Sequence, residues 1–120
     1  MKTTTSEKGA KLGSIYTKNG FFSPVNALSK AEAAELRKDY ETAEEELKGD
    51  TERLSLLKAY PNRLLPSFDT ATRNETLVEA AKEILGENIL VWSAALFIKE
   101  ASSTKIVSWH QDLTYWQLND

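Results

Sequence analysis

Residues 88–112 read NILVWSAALFIKEASSTKIVSWHQD, and this stretch decides which fold class the sequence predicts. Residues 88–100 are mostly apolar and rich in Ile, Val, Trp and Phe, which favours a buried strand, while periodicity alone leaves a buried helix open. Residues 102–104 predict a turn and residues 105–110 a second strand. Residues 112–118 predict a continuation of that strand or a third one. A sheet is therefore expected to begin in the last third of the chain.

The residues before this stretch carry the signals of two helices. Residues 29–32 read SKAE, the pattern of a capping box, in which the serine hydroxyl accepts from the N3 amide and the glutamate reaches back. Apolar and aromatic side chains then recur at helical spacing on one face: Leu36, Tyr40, Ala43 and Leu47. Gly49 follows as a helix-ending residue. A second helix is predicted over residues 74–85, with Gly86 ending it.

The remaining segments predict little regular structure. Residues 1–13 are polar and are expected to form a disordered tail, and the Asn19-Gly20 pair predicts a turn. Within residues 50–73 two prolines exclude one long element, so short pieces and loop are expected. The acidic run that ends the first helix is expected to face solvent, with a Glu44–Lys48 pair along it.

The order of these elements predicts the fold class. Helices come first and strands follow, and a short sheet with a wide apolar face needs further partners to cover it. The sequence therefore predicts an α+β fold, or the front part of a jelly-roll domain. Residues 14–120 are expected to be the N-terminal part of a single domain.

Composition excludes several classes of function. The 120 residues contain no cysteine, which excludes disulfide frameworks, zinc fingers, iron–sulfur clusters and thiol catalysis within them. They contain one histidine, so a metal site that needs two cannot be completed from these residues. The net charge is −3 without a basic stripe, which argues against a nucleic-acid partner. No targeting or membrane-spanning segment is visible, so a cytoplasmic protein without a membrane partner is expected.

The single histidine belongs to a pattern with metal-binding chemistry. On a strand, His110 and Asp112 would point to the same face, two residues apart. One imidazole, one carboxylate and a second imidazole form the facial triad of non-haem Fe(II) oxygenases. The alternative without metal binding is a surface histidine at a strand end, with Asp112 in a turn. The nearby tryptophans fit either a substrate pocket or a core.

A family resemblance favours the metal-binding interpretation. Residues 16–118 resemble the phytanoyl-CoA dioxygenase family of Fe(II)- and 2-oxoglutarate-dependent oxygenases. The resemblance is carried by YTKNGFF (16–22), ALSKAEAAELR (27–37), ILGENI (84–89), and LFIKE (96–100) followed by VSWHQD (107–112) and YW (115–116). The last group is the most specific.

The resemblance implies a fold, a reaction and a set of site residues. The fold would be a double-stranded β-helix of the jelly-roll or cupin kind. The reaction would be hydroxylation of a small organic substrate with O2 and 2-oxoglutarate as co-substrates, and ascorbate is a further cofactor that the family allows. His110 and Asp112 would be iron ligands, and Lys58 would contact 2-oxoglutarate. The presence of Asp112 implies hydroxylation rather than halogenation.

The sequence also departs from the family pattern. The family's second histidine ligand and its 2-oxoglutarate-binding arginine both follow the HQD motif, and neither residue type occurs after Asp112 here. The expectation is that the chain is an N-terminal fragment of a longer oxygenase and is inactive alone. Two alternative functions stay open: a non-enzymatic interaction module and a pseudo-enzyme without a metal centre. The oligomeric state is left open.

Overall fold

The computed structural model describes residues 12–112, and the regular structure among them is helical. The helices are α1 Leu12–Asn19, α2 Lys30–Glu46, α3 Thr51–Ala59, α4 Pro61–Leu64, α5 Pro66–Thr72 and α6 Glu75–Leu85. Helix α1 begins inside the stretch that was expected to be a tail. It ends at the predicted Asn19-Gly20 turn, where Gly20 has a φ of +76°.

Helix α2 begins at the predicted capping box. The Ser29 hydroxyl accepts a hydrogen bond from the Glu32 amide at 3.2 Å, and the Ser29 amide donates to Glu32 Oε2 at 2.7 Å. Two backbone donors at the helix start are thereby satisfied. The chain leaves the helix through Gly49, whose φ of +93° is costly for other residues.

Helices α3 to α5 fill the region where short pieces and loop were expected. Asp50 caps α3, because its Oδ1 accepts from the Arg53 amide at 3.0 Å. Pro61 and Pro66 open α4 and α5 at the first helical position. A proline costs nothing there, since the first backbone N–H of a helix has no partner within it. The prolines therefore divide this region into successive helices rather than turning it into loop.

Helix α6 ends at the predicted residue and begins one residue after the predicted start, with Asn74 as its N-cap. Asn74 Oδ1 accepts from the Leu77 amide at 3.2 Å, and Asn74 Nδ2 donates to the Ala27 carbonyl at 3.0 Å. One side chain thus caps α6 and fixes it to the loop before α2. Gly86 ends the helix with a φ of +90°.

Helix α1 packs closely on α6. A Cβ atom on Gly13 would lie 2.6 Å from the backbone carbonyl oxygen of Glu83. Because that oxygen belongs to the backbone of α6, it cannot turn away as a side chain would. Glycine at position 13 therefore allows this approach.

The core of the described residues lies among α2, α3, α4 and α5. Leu57 is 1% exposed and Tyr40 is 7% exposed, and Pro61 is also fully buried. The Tyr40 and Phe68 rings meet edge to face, with their centroids 6.4 Å apart. An aromatic pair of this geometry adds to the stabilisation by buried area alone.

The strands predicted over residues 88–100 and 105–110 are not found, which corrects the α+β expectation for the described residues. The chain is irregular there, and many of its apolar side chains are exposed, Leu90 and Phe97 by 88% and 92%. A strand needs a neighbour to bond its backbone groups. No backbone ladder partner lies along this segment within residues 12–112, so apolar, β-branched sequence alone does not produce a sheet. The strand predicted over 112–118 lies almost wholly outside the described residues.

The irregular segment still contains the predicted turn and one link to the helices. The Ser103 amide donates to the Glu100 carbonyl at 3.1 Å, and Ser102 has a φ of +61°. The Leu96 amide donates to the Lys58 carbonyl at 2.9 Å, which joins the segment to the end of α3.

Across residues 12–112, no helix combines the length and the apolar character that crossing a membrane would require.

Two neighbouring leucines on α3 test the position of the core. Leu57→Ala should lower the free energy of unfolding by about 2–4 kcal/mol, because it leaves a cavity among packed helices. Leu56→Ala is the matched control: Leu56 is 45% exposed, so its loss should cost less than about 1 kcal/mol. Urea titration followed by helical circular dichroism measures both. Equal costs for the two variants would contradict this core.

Candidate functional site

His110 and Asp112 come together at the end of the irregular segment. His110 Nε2 lies 3.3 Å from Asp112 Oδ1, and both side chains reach solvent. The other ring nitrogen, Nδ1, lies 2.9 Å from the backbone carbonyl oxygen of Ser108. Imidazole and carboxylate are therefore in contact although the segment is not a strand.

The Ser108 contact favours the imidazole tautomer that carries its hydrogen on Nδ1. A carbonyl oxygen can only accept, so Nδ1–H must be the donor in this bond. In a neutral imidazole the other nitrogen then presents a lone pair. His110 Nε2 and Asp112 Oδ1 are then two acceptors at 3.3 Å, which attract each other only through a shared proton or cation.

This donor pair fits a divalent metal ion. Imidazole nitrogen and carboxylate oxygen are the ligand types of non-haem iron sites, and a backbone carbonyl on the second nitrogen is a usual way to orient a ligating histidine. Within residues 12–112 no group of three or more His, Cys, Asp or Glu side chains is placed to hold a metal. The described residues therefore supply two donors of a three-donor site.

Lys58 lies in the last turn of α3 and pairs with a different group. Its Nζ is 3.6 Å from Glu44 Oε1, and the two side chains are 41% and 40% exposed. Among the described residues its ion-pair partner is Glu44, not His110 or Asp112. Its link to the site is through the backbone, since its carbonyl holds Leu96 of the segment that leads to His110.

Glu44 has a role that the sequence analysis missed. The expected Glu44–Lys48 pair is wrong, because Lys48 Nζ binds Glu45 Oε1 at 2.9 Å. Glu44 Oε1 instead accepts from the Tyr40 hydroxyl at 3.2 Å and lies near the Lys58 ammonium. The available signal was its position four residues after Tyr40, which places the two on the same helix face.

The environment of Tyr40 raises the pKa of its hydroxyl to about 12. Burial is the largest cause, since it disfavours the phenolate. The negative charge of Glu44, the hydrogen bond to Glu44 and the charge of Glu100 act in the same direction. The neutral hydroxyl is thus the form that this core accommodates.

Most of the chain matches one known protein family. The family model described as phytanoyl-CoA dioxygenase (PhyH) matches residues 16–120. The chain therefore belongs to the phytanoyl-CoA dioxygenase family, as its motifs predict, and this is a family of oxidoreductases. Searches of curated proteins and of solved structures found no match.

Tyr40 gives the fold a specific pH dependence. The unfolded tyrosine loses its proton near pH 10 and the folded one near pH 12. The contribution of this hydroxyl to the free energy of unfolding is therefore fully present below pH 10 and is lost as the pH rises from 10 to 12. Tyr40→Phe should remove about 2 kcal/mol of the fall in the free energy of unfolding over this pH range. Urea titrations at pH 9 to 12 measure it.

Tyr16→Phe, at a ring that is 39% exposed, controls for the loss of a hydroxyl. A wild-type decline that Tyr40→Phe leaves unchanged would contradict the buried, Glu44-bonded hydroxyl.

Proposed function

We propose that the chain is part of a non-haem Fe(II)- and 2-oxoglutarate-dependent dioxygenase that hydroxylates a small organic substrate. The observation that supports this best is the contact of His110 Nε2 with Asp112 Oδ1, at 3.3 Å, in a chain of a dioxygenase family. The orientation of the imidazole by the Ser108 carbonyl supports the same proposal, because it presents Nε2 on the side of the carboxylate.

His110 and Asp112 would hold Fe(II) through Nε2 and a carboxylate oxygen. When bound, the iron would supply the oxidising chemistry that couples O2 and 2-oxoglutarate to hydroxylation. The Ser108 carbonyl keeps the Nδ1 hydrogen in place and so fixes the ring's ligating nitrogen. Because the 120 residues contain one histidine, a second imidazole ligand would have to come from outside them. The 120 residues alone are therefore expected to be inactive.

Lys58 is proposed to pair with a carboxylate of 2-oxoglutarate. Its side chain is 41% exposed, so a small dianion can reach the ammonium group from solvent. Glu44 holds that group at 3.6 Å, so 2-oxoglutarate would compete with the Glu44 carboxylate for it. An exposed pair of this kind is worth under about 1 kcal/mol, which makes the exchange inexpensive.

The proposed partners follow from the reaction and from charge. They are a small-molecule substrate and O2, with ascorbate as an accessory reductant. Nucleic acid is not among them, since the net charge is −3. The reaction is proposed to take place in the cytoplasm.

The test is succinate formation by the native gene product with Fe(II), 2-oxoglutarate, O2 and a panel of candidate substrates. His110→Ala and Asp112→Ala should each lower the rate by more than about 100-fold, because loss of a metal ligand costs more than loss of an outer-shell partner. Lys105→Ala, an exposed change in the same segment, is the matched control and should leave the rate unchanged.

Two results would contradict the proposal: an absence of succinate in every condition, and full activity of the His110 variant. Stoichiometric, micromolar Fe(II) binding by the 120 residues alone would instead contradict the expectation that they are inactive without a ligand from outside. An interaction module would be indifferent to both substitutions, and a pseudo-enzyme would bind no metal at any concentration.

A further inference from the structure

A pocket of about 480 Å³ lies between the start of α4 and the first part of the irregular segment. It is lined by Tyr60, Arg63, Leu90, Val91, Trp92 and Ser93. Its volume is in the range of small-molecule sites. It combines one cationic group with an apolar wall, and neither His110 nor Asp112 is among its lining residues.

Arg63 differs from the other arginines of the described residues. Each of the others pairs with a carboxylate three or four residues away in the chain: Arg37 with Glu41 at 2.7 Å, Arg53 with Asp50 at 3.5 Å and Arg73 with Asp69 at 3.2 Å. The corresponding positions around Arg63, three and four residues before and after it, hold no carboxylate. They are Ala59, Tyr60, Pro66 and Ser67. Within residues 12–112 Arg63 has no carboxylate partner.

The guanidinium group of Arg63 is held by a ring instead. Its Cζ lies 5.3 Å from the centroid of the Tyr60 ring, a cation–π distance. Such a contact uses the face of the guanidinium and leaves its in-plane N–H donors for an acceptor. Those donors form the fork that matches the two oxygens of a carboxylate or phosphate.

The facing wall of the pocket is apolar and exposed. Leu90 is 88% exposed, Val91 51% and Trp92 69%. Adjacent exposed side chains of this kind are usually covered by a ligand or a partner. The guanidinium donors and the apolar lining residues together fit a ligand that has an anionic group and an apolar body.

We propose that this pocket binds a small organic anion, with its carboxylate or phosphate group on Arg63 and its apolar body against Leu90 and Trp92. Charge complementarity selects this occupant. The other three arginines of the described residues are paired with carboxylates and Arg63 is not, so its guanidinium is available to pair with an anion. The site is independent of the iron proposal, because it uses neither His110 nor Asp112.

Isothermal titration of the full chain with three naphthyl probes tests the proposal, with EDTA present so that iron plays no part. 1-Naphthoate and 1-naphthyl phosphate carry the two candidate head groups, and 1-naphthalenemethanol is their neutral counterpart. At least one anion should bind more tightly than the alcohol, and the tighter anion identifies the head group.

Arg63→Gln should weaken binding of the preferred anion by about fivefold to tenfold and leave the alcohol unchanged. Arg53→Gln is the matched control, an exposed helical arginine that already has a carboxylate partner, and should change the anion affinity by less than about twofold. Leu90→Ala should weaken all three probes alike, since they share the naphthyl group.

Three results would overturn the proposal: anions that bind no better than the alcohol, an Arg63→Gln variant equal to wild type, or equal losses in the two arginine variants. Circular dichroism of each variant confirms that the helix content is retained. Because both arginine changes are on exposed side chains, no loss is expected.

Discussion

The buried Tyr40 hydroxyl needs a hydrogen-bond partner, and Glu44 supplies it at the place where α2 approaches the end of α3. A buried hydroxyl without a partner costs more free energy than the net gain of one bond. Glu44 Oε1 accepts from it at 3.2 Å and is thereby held where the Lys58 ammonium approaches to 3.6 Å. Helix α2 is thus joined to the end of α3 by one carboxylate.

The end of α3 also contacts the segment that carries His110. Lys58 is held at the end of α3, and its carbonyl accepts the Leu96 amide at 2.9 Å. From Leu96 the chain runs through the turn at residues 100–103 to the His110–Asp112 pair. Glu100 also acts on Tyr40 through its charge. Among the described residues, the segment that leads to the candidate metal ligands is therefore joined to the helical core by a hydrogen bond at Leu96 rather than by a sheet.

Local signals predicted the parts of the fold that local interactions determine. The capping box at Ser29 and the cap and glycine around α6 depend on residues within one turn, and the structure has both as predicted. The strands depend on partners distant in sequence, which composition cannot supply, and they do not form among residues 12–112. Pro61 was interpreted as a helix breaker, whereas its effect depends on whether it falls inside a helix or at its first position.

The candidate site divides in the same way. The contact of His110 with Asp112 was predicted for a strand, whereas the two side chains meet in an irregular segment. The orientation of the imidazole by Ser108 depends on the backbone path and was not predicted. Lys58 was placed by family resemblance alone, and its pairing with Glu44 could not be foreseen because the two lie on different helices. The role of Lys58 toward 2-oxoglutarate stays a prediction.

The tautomer of His110 shows whether its Nε2 is oriented to bind a metal, and it can be measured cleanly because the single imidazole of the 120 residues gives one set of nitrogen signals. Long-range ¹H–¹⁵N correlation at pH 8 separates a protonated from an unprotonated ring nitrogen. We expect hydrogen on Nδ1, a lone-pair signal from Nε2, and a shift of that Nε2 signal when the diamagnetic Zn²⁺ is added as a substitute for iron. Hydrogen on Nε2, with no response to the metal, would contradict this expectation.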